Sequence, residues 1–501
     1  MSREQHYGFK MGSGILLGRY ALAFQSIFSV YLPFMTTKNK MKKSSLNHHV
    51  SIALNQTRKS QKLCHQSLRE FARSTSLLIA GIGLAFSASV MQPAQAQDQR
   101  DAMSLLVPDR VFDGVNMHSD WVVLVKGNKI EAVGPQRMKL PESTKVIELK
   151  GMTVMPGLIE GHSHLFLHPY NETSWDDQVL KETRTERTLR AGNHAKATLM
   201  AGFTTVRDLG TEGAGFDDFG LKRAIEKGVI LGPRMIIASR ALVAKGAYGP
   251  KSQNPDLDLP QGAAEVSGLE QISQEVRTQI GKGADVIKVY ADYRAGRDGE
   301  AVPLFSVEEM AVMAKIANSS HRQLVAHAAT PEGMRRAVDA GVSTIEHGDG
   351  GSEEVFRYMK EKGVAFCPTL AAGDAIEQYR GWKKSSMPEP ARIMAKRQSF
   401  AAALKVGVRI CMGGDVGVYA HGDNVREMEL MVDYGMPVID VLRAATSGNA
   451  SIFGYGDKIG RVAPGMLADL IAVEADPTRD LRSLRQVKWV MKDGTVVKHK
   501  E

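Results

Sequence analysis

Cysteine is scarce. The chain of 501 residues has three, Cys64, Cys367 and Cys411, too few for a disulfide-stapled scaffold. Cys367 and Cys411 sit in the apolar runs "VAFCPTL" and "VRICMGGD", and read as two buried small side chains. No Gly-rich phosphate turn is present, which argues against a doubly wound nucleotide-binding sheet. No internal repeat or low-complexity tract stands out. A usable charge excess is also missing. The net charge of +9 suggests a nucleic-acid partner, yet residues 1–96 hold 12 Lys and Arg against 2 Asp and Glu. The remainder holds 52 against 53, so its electrostatics gives no reason to expect nucleic acid.

Long apolar runs are confined to the first 96 residues. Basic residues precede "SLLIAGIGLAFSASV" (76–90), and "AQA" (94–96) follows as a small-x-small cleavage pattern. The run is short for a membrane span. An export signal cut near Ala96 is expected, which places the mature chain in the periplasm or outside the cell. Met41 with "KKSS" resembles a start site, leaving residues 1–40 upstream of it. Residues 14–35 are long enough to cross a bilayer, but Arg19 interrupts them, so no stable span is expected in the mature chain.

What is present is a body of ordinary globular composition, 43% hydrophobic and 24% charged. From about residue 150, short β-branched runs alternate with helical periodicity. Eight strand candidates appear: "VMPGLIEGHSHL", "FTTVRDLG", "PRMIIASR", "ADVIKVYAD", "QLVAHAAT", "STIEHGD", "VAFCPTL" and "VRICMGGDVG". Helices are expected near 187–201, 217–228, 266–281, 306–320, 331–341, 352–362, 389–406 and 424–448. Eight such units fit an α/β fold, a (β/α)8 TIM barrel over 156–450. The flanks, 97–155 and 451–501, alternate as strands and turns. They predict one small β-sandwich built from both ends of the chain.

Active sites of such barrels lie at the C-terminal ends of the strands. There the sequence places His162 and His164 on strand one, Lys288 on strand four and His327 on strand five. His347 follows on strand six and Asp415 on strand eight. His162 and His164 share a strand face and can grip one ion. An HxH pair alone is a weak signal. Lys288 inside "DVIKVY" is harder to dismiss, because burying an ammonium is costly. Desolvation lowers its pKa, and a neutral amine can take up CO2 to give a bridging carbamate. His168 shares the parity of the pair, but Pro169 ends the strand; it is expected in a loop and not as a ligand.

These pieces together resemble the amidohydrolase superfamily in its binuclear-metal branch: "GHSH", Lys288 in "IKVY", His327 in "AHAATPEG", His347 in "EHGDG" and Asp415 in "GGDVG". The tail "GRVAPGMLADL" (460–470) is similar to that family's return strand. Within the superfamily the chain resembles the imidazolonepropionase-like group of Xaa-Pro dipeptidases and carboxypeptidases. Its loop "ALVAKGAYGP" is most similar to ochratoxin-degrading members. The resemblance implies two Zn2+ ions. His162, His164 and Asp415 would hold one, and His327 and His347 the other. Carboxylated Lys288 and a hydroxide would bridge them, with Asp415 as catalytic base and acid. The implied activity is hydrolysis of an amide or peptide bond, releasing a C-terminal amino acid from a dipeptide or N-acyl amino acid.

Tyr290, two residues beyond Lys288, and Tyr248 are candidate donors to a substrate carboxylate. His421 is a further candidate substrate residue, and Arg207 and Asp208 are expected to pair with each other. A mononuclear deaminase or cyclic-amide hydrolase is the nearer alternative. Deaminases place a Glu where this chain has Thr330, and mononuclear members lack the strand-four Lys. A non-catalytic scaffold on the same barrel is the alternative of another class. Oligomerisation stays open.

Overall fold

A computed structural model of the chain describes residues 102–135, 140, 143–252, 254 and 256–499. The expected leader and its cleavage site lie outside them. Five strands come first: β1 (Met103–Phe112), β2 (Met117–Ser119), β3 (Trp121–Lys126), β4 (Lys129–Pro135) and β5 (Lys145–Pro156). The barrel strands follow as β6 (Leu158–Ser163), β7 (Phe203–Asp208), β8 (Arg234–Ile237), β9 (Leu242–Ala244), β10 (Ala264–Val266) and β11 (Val286–Tyr290). A small ribbon, β12 (Asp292–Tyr293) and β13 (Val302–Pro303), precedes β14 (Gln323–Ala328), β15 (Thr344–His347) and β16 (Ala365–Cys367). The chain ends with β17 (Leu470–Glu474), β18 (Val487–Lys492) and β19 (Thr495–Lys498).

The two flanks meet in one continuous sheet, ordered β19-β18-β17-β5-β1-β3-β4 with β2 on β1. β5 and β17 pair antiparallel, Met155 opposite Ile471 and Val154 opposite Ala472. Leu106, Val123, Ile130, Val154, Leu470 and Trp489 fill a core of its own. Gly157 separates β5 from β6. The expected first strand therefore splits there, Pro156 closing the β domain and Leu158 opening the barrel. A Cβ at Gly157 would overlap Thr204 on β7, so only glycine passes at this crossing.

The barrel closes in eight positions. β6, β7 and β8 run parallel, as do β11, β14, β15 and β16. The third and fourth positions are joined by Asp285 N donating to Ile237 O at 2.7 Å and by the pairing of Val289 with Leu242. The eighth is the segment 410–416, tied to β16 through Ile410 and to β6 through Val416. Packed helices cover the strands, and their boundaries follow local signals. Ser306 and Glu309 form a capping box on Val307–Ser319. Gly363 and Gly407 end their helices in the left-handed conformation. The expected long helix at 424–448 is broken. Val425–Asp433 and Val438–Arg443 flank Gly435 and Pro437, and a π-helical turn, Ala444–Gly448, follows.

One expectation is corrected. Cys367 and Cys411 are both fully buried, but they are bonded to each other. Phe366 pairs with Ile410, so the next residue on each strand faces its counterpart across the seventh and eighth positions.

Candidate metal and substrate site

The strand ends converge as the periodicity requires. His162 and His164 leave β6, His327 leaves β14, and His347 ends β15. One ligand atom each from His162, His164 and Asp415 lies within 4.8 Å of the others. His162 Nε2 is 3.7 Å and His164 Nε2 3.3 Å from Asp415 Oδ1. The His347 ring stands 5.0 Å from that of His162 and 4.4 Å from that of His327, centroid to centroid. Lys288, 1% exposed, lies on the neighbouring β11, opposite Val325 of β14.

The approach of the first and eighth positions is built into "GGD". Asp415 N donates to His162 O at 2.9 Å. A Cβ on Gly413 would come within 2.8 Å of His162 N, so a side chain there would force the strands apart. Glu160 clasps the same junction. Its carboxylate accepts from His162 N at 3.0 Å, Gly414 N at 2.9 Å and Asn424 Nδ2 at 2.8 Å. His347, Asp415 and Thr369 all hold positive φ, at 74°, 62° and 47°. Such strained backbone at strand ends is typical of functional rims.

Each of three imidazoles is anchored through Nδ1. His162 pairs with Glu346 Oε2 at 2.9 Å, His164 with Gly210 O at 2.8 Å, and His347 with Thr369 Oγ1 at 2.8 Å. The Glu346 carboxylate and the Gly210 carbonyl can only accept, so Nδ1 of His162 and of His164 carries a proton and Nε2 is the atom turned toward a ligand. His162 Nε2 is buried without a hydrogen-bond partner among the described residues. Imidazole and carboxylate donors so placed fit a divalent ion.

Electrostatics favours neutral imidazoles at His162, His327 and His347, with His164 the exception. Burial and the nearby Lys288 charge hold His162 down to about 4 and His327 to about 3. At His164 burial is outweighed by Asp415, which lifts it to about 9. Burial pulls Lys288 down to about 8, toward the neutral amine. Asp415 stays ionised, because His162 and His164 outweigh its burial and hold its carboxyl well below the usual range.

Two residues at the site carry roles that the sequence did not suggest. Arg207 does not pair with Asp208. It reaches Glu346 Oε1 at 2.8 Å and Gly161 O at 2.7 Å, whereas Asp208 accepts from Leu165 N. Arg207, Glu346 and His162 thus form a buried chain behind the ligands. Glu346 is adjacent to His347 in "IEHG". Both residues reach His162, and the positive φ of His347 breaks the strand alternation that would otherwise part them; the only sequence signal for Glu346 is a carboxylate inside a buried strand.

The site opens into a cavity of about 790 Å³. Tyr248 and Tyr290 line it, as do Glu212, Trp175 and Tyr293. Tyr290 stacks on His327 at 4.6 Å. Tyr248 donates to Glu212 Oε2 at 2.5 Å, so its hydroxyl is already engaged by a carboxylate. His421 is not among the residues that line this cavity. It bonds Leu167 O at 3.0 Å and stacks on His194. His168 is buried between Glu172 and Glu182, at 3.1 and 2.8 Å. No described helix is long and apolar enough to cross a membrane.

Comparison with known proteins agrees with this geometry. A model of the Amidohydrolase family matches residues 153–497. Ochratoxinase of Aspergillus niger is 26% identical over 431 residues, 80% of this chain and 83% of that protein. A solved Xaa-Pro dipeptidase with methionine in its active site is 30% identical. It aligns with a TM-score of 0.70 over 79% of this chain and 100% of its own. A prolidase complexed with N-methylphosphonate-L-proline gives 0.69 at 26% identity, over 80% and 100%.

Proposed function

The chain belongs to the amidohydrolase family and is a hydrolase of C–N bonds, and we propose that it is exported and releases a C-terminal amino acid from a dipeptide or N-acyl amino acid. The observation that carries this reading is the convergence at the rim. His162 Nε2, buried and unpartnered among the described residues, meets His164 and Asp415 at the floor of a cavity large enough for a dipeptide. The similarity to a Xaa-Pro dipeptidase, a prolidase and ochratoxinase supports the substrate class.

In this reading His162, His164 and Asp415 hold one ion, and His327 and His347 the other. Lys288 would serve both as its carbamate, and zinc would suit the donor set. Bound there, the ions supply Lewis-acid polarisation of the scissile carbonyl and an acidified water as nucleophile. Asp415, held ionised, accepts the proton at a carboxylate oxygen and returns it to the leaving nitrogen. Glu346 and Arg207 keep His162 in one tautomer throughout.

The substrate carboxylate is assigned away from Tyr248, because Glu212 beside it would repel an anion. Arg380 and Arg392, on the same cavity, offer guanidinium groups instead. The test is a hydrolysis panel on the zinc-loaded protein starting at Gln97: dipeptides, N-acyl amino acids, lactones and an ochratoxin-like amide. Release of the C-terminal amino acid from the first two classes is expected. Turnover of lactones alone would overturn the reading.

A further inference from the structure

Glu212 is not used by the chemistry above. It follows β7, the second barrel position, and is 2% exposed on the cavity wall. Its backbone φ is +48°, a conformation unfavourable for a residue with a β-carbon that persists where the surroundings impose it. Oε2 is doubly engaged, by Tyr248 OH at 2.5 Å and Trp175 Nε1 at 3.0 Å. Oε1 is buried and has no hydrogen-bond partner among the described residues. Arg187 bonds Phe166 O and Thr211 O and makes no ion pair with Glu212. The nearest ring nitrogen, His164 Nδ1, is 4.0 Å away and already bonds Gly210 O, and a buried carboxylate oxygen without a hydrogen bond is costly unless a donor arrives with the ligand.

Around it stands an aromatic wall. Trp175 packs edge-on to Tyr248 at 5.0 Å, Tyr248 lies 4.7 Å from Tyr290, and Tyr293 lies 4.9 Å from Tyr248. Ring faces beside a carboxylate favour a cation. Burial, reinforced by Glu212, keeps the Tyr248 and Tyr290 hydroxyls protonated well above their ordinary range, so the wall itself carries no negative charge.

Barrel order sets the position along a substrate. Glu212 lies after the second position, and Glu212 Oε1 is 4.0 Å from His164 Nδ1. Arg380 and Arg392 lie after the seventh, at the ends of the helices Leu370–Tyr379 and Ala391–Val406. Between the second and the seventh run the first and the eighth, which carry His162, His164 and Asp415. In a dipeptide the α-nitrogen is two bonds from the scissile carbonyl carbon, and the carboxylate is on its other side.

We propose that Glu212 Oε1, framed by Trp175, Tyr248, Tyr290 and Tyr293, is the subsite for the free α-ammonium of the substrate, so that the enzyme selects zwitterionic dipeptides over N-acyl amino acids. This rests on the amide-hydrolase reading and narrows it. An N-acylated substrate would bury Oε1 still unpaired, and that penalty sets the preference.

The experiment compares Leu-Phe with N-acetyl-Leu-Phe on the zinc-loaded enzyme, wild type and Glu212→Gln. It also compares binding of n-butylammonium with n-butanol by tryptophan fluorescence, since Trp175 borders the subsite. Wild type should favour the free dipeptide by about tenfold or more in kcat/KM. Glu212→Gln should lower that preference by about 10- to 100-fold, the range of a charge-assisted bond, mainly through KM. Butylammonium should bind more tightly than butanol to wild type. Equal or better cleavage of the acetylated peptide, or butylammonium binding no tighter than butanol, would overturn the proposal. If neither peptide is cleaved, the amide-hydrolase reading fails by itself, and the butylammonium comparison still decides the subsite.

Discussion

Replacing Glu346 with glutamine changes one atom and should damage both stability and the metal site. Glu346 accepts from three donors: Arg207 Nη2 at 2.8 Å and Thr344 Oγ1 on one oxygen, and His162 Nδ1 at 2.9 Å on the other. Glutamine has one oxygen for these, and its NH2 must face either a guanidinium or an N–H. Arg207, fully buried, then loses its counter-charge. Breaking such a pair from one side costs about 3–5 kcal/mol. A second route gives a similar figure. Burial opposes ionisation of Glu346, but Arg207 and His162 win and hold its carboxyl at about 2, against an ordinary 4.5. That difference corresponds to about 3 kcal/mol.

The sign follows from the depressed value. The contribution is complete above about pH 4.5 and is lost as pH falls toward 2. Denaturant unfolding with a chelator present, at pH 7 and in steps down to pH 2.5, reads both quantities. The gap between wild type and Glu346→Gln should be about 3 kcal/mol at pH 7 and should close with acid. With His162 free to change tautomer, metal affinity should also fall about 10- to 100-fold. A gap under about 1 kcal/mol at pH 7, or one that does not narrow with acid, would refute the argument.

Lys288→Ala should lose one ion per chain by elemental analysis and lower turnover on the order of a hundredfold or more; two ions with full activity would exclude the bridging role. Gly413→Ala places a Cβ 2.8 Å from His162 N and should cost about 1–3 kcal/mol, with reduced metal uptake, read by thermal unfolding and metal titration. Denatured without reductant, the chain from Gln97 onward should show no titratable thiol, and two after reduction. Two thiols before reduction would contradict the Cys367–Cys411 bond.

The barrel was legible because strand and helix periodicities alternate over the whole body, and the meeting of His162, His164 and Asp415 because such residues are costly inside a protein unless used. Periodicity could not reveal the break at Gly157, since "VMPGLIEGHSHL" reads as one apolar run. Nor could it pair Cys367 with Cys411, which depends on the register of Phe366 against Ile410 across 44 residues. Glu346 and Glu212 were missed for a related reason. A buried carboxylate looks like a surface one until its partners, Arg207 in one case and Tyr248 in the other, are seen to meet it. The direction in which His421 turns was equally illegible: it follows the eighth position, yet its ring turns back to Leu167 and His194.

The most direct test of the account is a zinc titration of metal-stripped protein, followed by release of phenylalanine from Leu-Phe. No turnover is expected without metal, and activity should rise and saturate near two ions per chain. Full turnover in the stripped protein, or none at saturation, would contradict it.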